Sequence, residues 1–240
     1  MLTGESKKKS DIGTVILLSG GLDSSANLAI ESEKSRNILA LTLDYGQRSA
    51  LREIEASQKL AAYFGARHEV VPLRWLGELG GSSLTQESIR IPEPETADLD
   101  NAEKSRESAR AVWVPNRNGV FVNVAGAWAE ALGARRVLAG FNREEAETFP
   151  DNSSEFMKQV NRGFGYSIRS EVRLKSHTVE MTKKEIVAAI RLLERPFPFE
   201  MLWSCYRGGE GPCKICESCR RLTRAMGEAP VRIDRVEMEQ

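Results

Sequence analysis

Short apolar runs and helix-spaced apolar positions alternate along the chain. Thr14 to Leu18 is a β-branched and leucine run that stops at Ser-Gly-Gly and passes into a helix-like stretch, Ser24 to Lys34. Ile38 to Leu43 repeats the pattern, ending at Asp44-Tyr45-Gly46-Gln47 before a helical spacing over Ala50 to Phe64 that stops at Gly65. His68 to Pro72, Val137 to Phe141 and Glu171 to Thr178 read as three further strands, and Asn118 to Leu132 as an apolar, alanine-rich helix. Thr182-Lys183-Lys184-Glu185 has the capping-box spacing, with Thr182 as N-cap, and opens a helix to Leu193 that the prolines at 196 and 198 end. Strands alternating with helices imply right-handed crossovers. The fold class expected is therefore α/β, a doubly wound, mainly parallel sheet of five strands covered by helices on both faces.

From 82 to 112 the periodicity is lost and glutamate, serine and proline accumulate, as in Ile91-Pro-Glu-Pro-Glu. A long surface loop is expected there, in a position where it would serve as a lid. The organisation read from these patterns is a disordered N-terminus over 1–12, a nucleotide-binding domain over 13–195, a small C-terminal subdomain over 196–227 and a tail over 228–240. Trp203 to Arg220 is too short for a core of its own and needs a metal to hold its shape.

Cys205, Cys213, Cys216 and Cys219 give C-x7-C-x2-C-x2-C. Four thiolates close a tetrahedral zinc shell and leave no open position, so a zinc ion here is structural; an iron–sulfur cluster and unliganded thiols are the other readings of the spacing. Met1 to Asp11 is polar, without a signal peptide's apolar stretch, and no apolar run approaches a membrane-spanning length. A cytoplasmic location is expected, where thiols stay reduced and bind metal rather than pair. Lysine plus arginine and aspartate plus glutamate are balanced at 34 each among 240 residues, so there is no basic surplus for a nucleic-acid backbone. A local patch at Arg135, Arg136 and 162–175 would escape that count.

Leu18-Ser19-Gly20-Gly21-Leu22-Asp23-Ser24-Ser25 leaves a strand and opens a helix, where free N–H groups and the helix dipole favour an anion such as pyrophosphate. The glycines let the backbone approach phosphate oxygens, the serines offer hydroxyls, and Asp23 offers a carboxylate to magnesium. An ordinary strand-to-helix turn would also use glycine and serine, but not this many donors at once. Neither the Walker A nor the dinucleotide spacing is present.

Ser-Gly-Gly-Leu-Asp-Ser-Ser resembles the loop of the PP-loop ATP pyrophosphatases. The remaining motifs narrow the resemblance: Trp203-Ser-Cys-Tyr, Gly208-Gly-Glu, Pro212-Cys and Cys216-x-x-Cys219-Arg220 are similar to the end of the 7-cyano-7-deazaguanine synthase family. Asp44-Tyr45-Gly46-Gln47-Arg48, Val114-Pro115-Asn116-Arg117-Asn118 and Thr182-Lys183-Lys184-Glu185 resemble further segments of it, and the match runs from about Thr14 to Gly227. The resemblance implies an adenine-nucleotide alpha-hydrolase-like sheet with ATP across its carboxyl ends. It implies a ligase that adenylates 7-carboxy-7-deazaguanine, lets ammonia displace AMP, and adenylates the resulting amide to reach the nitrile.

ATP, magnesium and structural zinc are the implied cofactors, and a homodimer without stable nucleic acid or membrane partners is the implied assembly. Asp23, Lys183 and Arg117 are the expected catalytic residues. Leu18 to Ser25 with Asp44, Tyr45 and Gln47 are expected at the nucleotide, Asp44 also being readable as an ordinary loop aspartate. Arg48, Asn118 and Asp151 are expected at the substrate, and His68 and His177 are read as structural. Two segments depart from the family: Ser49 stands where histidine is common, and Thr148-Phe149-Pro150-Asp151-Asn152-Ser153 replaces Gly-Tyr-Pro-Asp-Cys-Arg. A related ligase joining the activated acid to another amine, and an RNA-binding module on a nucleotide fold, are the competing readings.

Overall fold

A computed structural model describes residues 12–229. Its strands are β1 (Thr14–Leu17), β2 (Ile38–Asp44), β3 (Arg67–Pro72), β4 (Arg136–Leu138) and β5 (Arg173–Lys175). The helices are α1 (Leu22–Ser32), α2 (Ala50–Phe64), α3 (Trp75–Glu78), α4 (Ala102–Val112), α5 (Arg117–Leu132), α6 (Arg143–Ala146), α7 (Ser154–Ser167), α8 (Lys183–Arg191) and α9 (Glu217–Glu228). Of the start expected to be disordered (1–12), residues 1–11 lie outside the described residues, as do 230–240 of the tail, while Ile12 is buried in the core.

The five strands run in the order β3-β2-β1-β4-β5, every pairing parallel. Alternate side chains of β1, β2 and β4 enter opposite cores, as a period of two demands. Ile16, Ala40 and Leu138 meet α1, α2, α8 and α9 through Leu28, Leu60, Ile186 and Ala225. Val15, Leu39, Leu41 and Val137 meet α5 and α7 through Val122, Ala125 and Phe164 on the other face. Each of these leucines and isoleucines contributes about 1.5–3 kcal/mol by leaving water, so a single charge at Leu39 or Ile16 would break the layer it sits in. Among the described residues no helix is long and apolar enough to cross a membrane.

Because β2 and β4 lie on opposite sides of β1, the chain leaves the sheet in opposite directions after β1 and after β4. This divergence is the switch point of a doubly wound sheet and opens a crevice at the carboxyl ends.

Two regions differ from the sequence reading. Within 82–112, taken as a loop, Ala102–Val112 is a helix whose N-cap Asn101 accepts from the N–H groups of Glu103 and Lys104. Only Ser108, Ala109 and Val112 of this helix are buried, so it offers no row of large apolar residues from which a period could be read. The segment is tied down elsewhere by buried Leu84, Ile91 and Leu99. The 196–227 stretch, expected as a subdomain, shares its core with the main body, since Phe197 and Ala225 join the cluster of α1 and α8.

Candidate active site

The turn between β1 and α1 forms one wall of a cavity of about 260 Å³ at the carboxyl ends of the strands. Gly20 takes φ +75°, and a Cβ there would lie 2.7 Å from the Cβ of Ala56, so both backbone and space require glycine. Gly21, the N-cap, has no side chain to satisfy the helix's first N–H groups, which leaves them for an anion. Ser24 organises the turn: its hydroxyl donates to Gly21 O (3.2 Å) and accepts from Ser19 N (3.2 Å). Opposite stands Gly140 after β4, where a Cβ would sit 2.7 Å from Ser24 Cα and 2.8 Å from Asp23 C. The two diverging loops touch there, backbone to backbone.

Lys183 is the first residue of α8, held by a complete capping box between Thr182 and Glu185. Its Nζ lies 2.7 Å from Asp23 Oδ2 and 2.7 Å from Glu145 Oε1, and its backbone N–H donates to Glu144 Oε1 at 2.7 Å. Burial alone would lower the ammonium's pKa, but the two carboxylates outweigh it and hold the pKa well above the usual lysine value. Burial raises Asp23 to about 6, with Lys183 opposing the rise and Glu145 adding to it. Asp23 Oδ1 is buried and has no hydrogen-bond partner. An unsatisfied carboxylate oxygen beside Glu144 and Glu145 suits a hard cation, which takes oxygen ligands from one or two carboxylates and from phosphates. Asp23, with Glu145, could hold such an ion.

Of the expected nucleotide residues, Leu18, Ser19, Gly21, Leu22, Asp23, Ser24 and Tyr45 line the cavity. Gly20 shapes the turn, and Ser25 points inward, wholly buried, its hydroxyl unpaired. Asp44 and Gln47 are not brought to it. Asp44 Oδ2 is paired with Arg74 at 3.1 Å while Oδ1 accepts from Gly46 N; Gln47 accepts from Tyr45 N and donates to Leu43 O and Glu53. Both brace the turn after β2. Arg117 and Asn118 line the cavity from the start of α5, the Arg117 guanidinium lying 5.9 Å above the Tyr45 ring. Arg48 does not line it, because its guanidinium donates to the carbonyls of Gln86 and Ile89 and so anchors the 82–91 segment. Asp151 adjoins a much smaller recess beside Trp113 and Phe149, its pKa raised by burial against the pull of Arg117.

The departing segment contributes Thr148, Phe149 and Asn152 to the wall. Ser49, the other departure, donates at 2.6 Å to Glu53, a cavity carboxyl whose pKa burial pushes up. Glu53, Glu144, Glu145, Tyr206, Glu217 and Arg221 also line the cavity, and sequence reasoning missed all six. Tyr206 had a signal as the last residue of the Trp203-Ser-Cys-Tyr motif, and Glu144 and Glu145 as acids following Asn142, which caps α6 by accepting from Glu145 N. His68 and His177 lie elsewhere, against Thr42 and Glu31.

The four cysteine sulfurs lie within 4.8 Å of one another, and Cys205, Cys216 and Cys219 are buried. A zinc tetrahedron with bonds of about 2.3 Å has sulfur–sulfur edges of about 3.8 Å, so the donor set fits the ion with little adjustment. N–H groups of Arg207 and Cys213 point at Cys205 Sγ, and that of Cys216 at Cys213 Sγ, which favours thiolates.

The model of queuosine biosynthesis protein QueC matches residues 13–229. A 7-cyano-7-deazaguanine synthase of Desulforudis audaxviator is 51% identical over 90% of this chain and 96% of its own length. Proteins of the same name from Desulforamulus reducens (46% identical, 89% and 93% covered) and Methanosarcina barkeri (47%, 91% and 95%) agree. With an all-parallel sheet, an anion-ready turn at its switch point and four converging cysteines, the chain belongs to the QueC family of queuosine biosynthesis.

Proposed function

We propose that the protein is a 7-cyano-7-deazaguanine synthase, a C–N bond-forming ligase that converts 7-carboxy-7-deazaguanine and ammonia to the nitrile at the expense of ATP. The observation that carries this reading is the meeting of Lys183 and Asp23 with the β1–α1 turn in one cavity. A carboxylate is a poor electrophile because its charge repels nucleophiles and it offers no leaving group, and adenylation removes both obstacles. Attack of the substrate carboxylate on the ATP α-phosphate gives acyl-AMP and pyrophosphate. Ammonia then displaces AMP to give the amide, the amide oxygen takes AMP from a second ATP, and loss of AMP and the remaining N–H protons leaves the nitrile.

The chain's part is positioning and charge. The N–H groups after Gly21 and the hydroxyls of Ser19 and Ser24 hold the departing pyrophosphate, Lys183 moves its charge from Asp23 to the phosphates, and Arg117 supplies a second cation. Asp23 and Glu145 would hold magnesium, which when bound neutralises phosphate charge. Asn118, Phe149 and Asn152 face the substrate, with Asp151 behind them as acceptor for a guanine-like N–H edge. The cysteines hold a structural zinc. A cytoplasmic homodimer acting on small molecules completes the proposal.

Incubation with ATP, magnesium, ammonium and 7-carboxy-7-deazaguanine, followed by mass spectrometry, tests it. The expected products are the nitrile, AMP and pyrophosphate, two AMP per nitrile. Formation of ADP, or no turnover by folded, metal-loaded protein, would refute it.

A further inference from the structure

The cysteine cluster and the phosphate site are joined by a short chain of contacts. Cys216 is the N-cap of α9 and Cys219 lies in its first turn, so two of the four sulfurs fix where this helix begins. Residues 202–216 before it form no regular helix or strand, so besides the sulfurs that start is tied down by contacts to the 91–99 segment, the Glu217 N–H donating to Pro92 O and Arg220 pairing with Glu95. From the next turn Arg221 and Arg224, three residues apart and so on one face, both reach Glu144. Arg221 Nη1 lies 3.8 Å and Arg224 Nη2 3.5 Å from Glu144 Oε2. The other oxygen of Glu144 accepts the Lys183 N–H at 2.7 Å. Glu144 is thus gripped by α9 on one side and sets the first turn of α8 on the other, and these groups are largely withdrawn from water.

We infer that the four-cysteine turn acts on the phosphate site: Arg221 and Arg224 are positioning residues that hold Glu144 against the start of α8 and so aim Lys183. The inference rests on the function proposed above, because it assigns the aimed ammonium to pyrophosphate. Two features set it apart from simple local stabilisation. Arg224 does not line the cavity, so any effect of its loss on ligand binding must pass through a partner. Its other partner, Asp100, is an exposed carboxylate on a separate segment, which allows the two routes to be told apart.

The test is titration calorimetry of the full zinc-loaded chain with inorganic pyrophosphate and magnesium, alongside zinc content and melting temperature. Groups within one charged network act together, so Arg224→Ala and Glu144→Ala should each weaken pyrophosphate about tenfold at unchanged zinc content. The double variant should bind no more weakly than Glu144→Ala alone. Glu144→Gln, which keeps an acceptor for Lys183 N–H, should recover part of the loss, and Asp100→Ala should bind as the parent does. Chelation should weaken the parent more than the Glu144→Ala chain. Parent-like affinity in zinc-loaded Arg224→Ala and Glu144→Ala, or additive losses in the double variant, would overturn the inference while leaving the proposed function standing. If either alanine variant fails to fold, Arg224→Gln and Glu144→Gln decide: parent-like affinity in both counts against it. Folded parent protein that does not bind pyrophosphate would bring down the function, and this inference with it.

Discussion

Gly140→Ala adds one methyl group where the chain after β4 meets the β1–α1 turn. The new Cβ would lie 2.7 Å from Ser24 Cα and 2.8 Å from Asp23 C, and closer still to Ser24 N. All three atoms are backbone at the start of a helix, so no side-chain rotation relieves them. Ordinary carbon contacts begin near 3.5 Å, and the turn must retreat by about 0.7 Å or more. Overpacking of this kind costs about 1–3 kcal/mol, or a fall of about 2–12 °C in melting temperature for a chain of this size. The functional effect should be larger than the stability effect, because a displacement approaching 1 Å in a positioned catalytic group costs about a hundredfold in rate. Gly163→Ala is the control. It lies within α7 with nothing inside 4 Å of the added carbon, and should stabilise by about 0.5–1 kcal/mol without touching activity. Differential scanning fluorimetry and pyrophosphate release under saturating substrates provide both readouts. Full activity and parent melting temperature in Gly140→Ala would refute the claim that the two loops are in contact across the switch point.

Two further predictions concern charge and metal. Asp23 has its pKa raised from 3.8 to about 6, so it is protonated in the free enzyme below that pH; kcat/KM for ATP should fall about tenfold per pH unit below 6 if the ionised form is required, and a flat profile between pH 5 and 7 would contradict the role. The sign for stability is opposite: with the folded value above the unfolded one, the contribution of Asp23 is fully present below about 3.8 and is lost as pH rises through about 6. Cys216→Ser should lose bound metal and melting temperature together, measured by elemental analysis and fluorimetry; full metal occupancy would remove Cys216 from the ligand set.

The five strands, the glycine turn after β1 and the cysteine cluster were legible along the chain because each depends on neighbours within a few residues, and the parallel pairing followed from the helices between successive strands. A strand buried on both faces reads as a nearly continuous apolar run, as β2 does from Ile38 to Leu43 with Thr42 its one polar residue, and thiols separated by two residues can face one ion. The α4 helix was illegible because it packs through small residues, Ser108 and Ala109, rather than through a row of large apolar ones. The roles of Asp44, Gln47 and Arg48 were equally hidden, since a motif shows which side chains are polar and not whether Arg74, Glu53 or a distant carbonyl has already taken them.

What the order of residues determined by itself is local: where strands and helices run, which turn leaves its N–H groups free, and which sulfurs gather. Only the tertiary fold brought Glu144, Glu145, Arg221 and Lys183 together. The three segments that carry these residues are far apart in the chain, and contacts of 2.7–3.8 Å between them depend on where packed helices come to rest, which no spacing along one segment encodes.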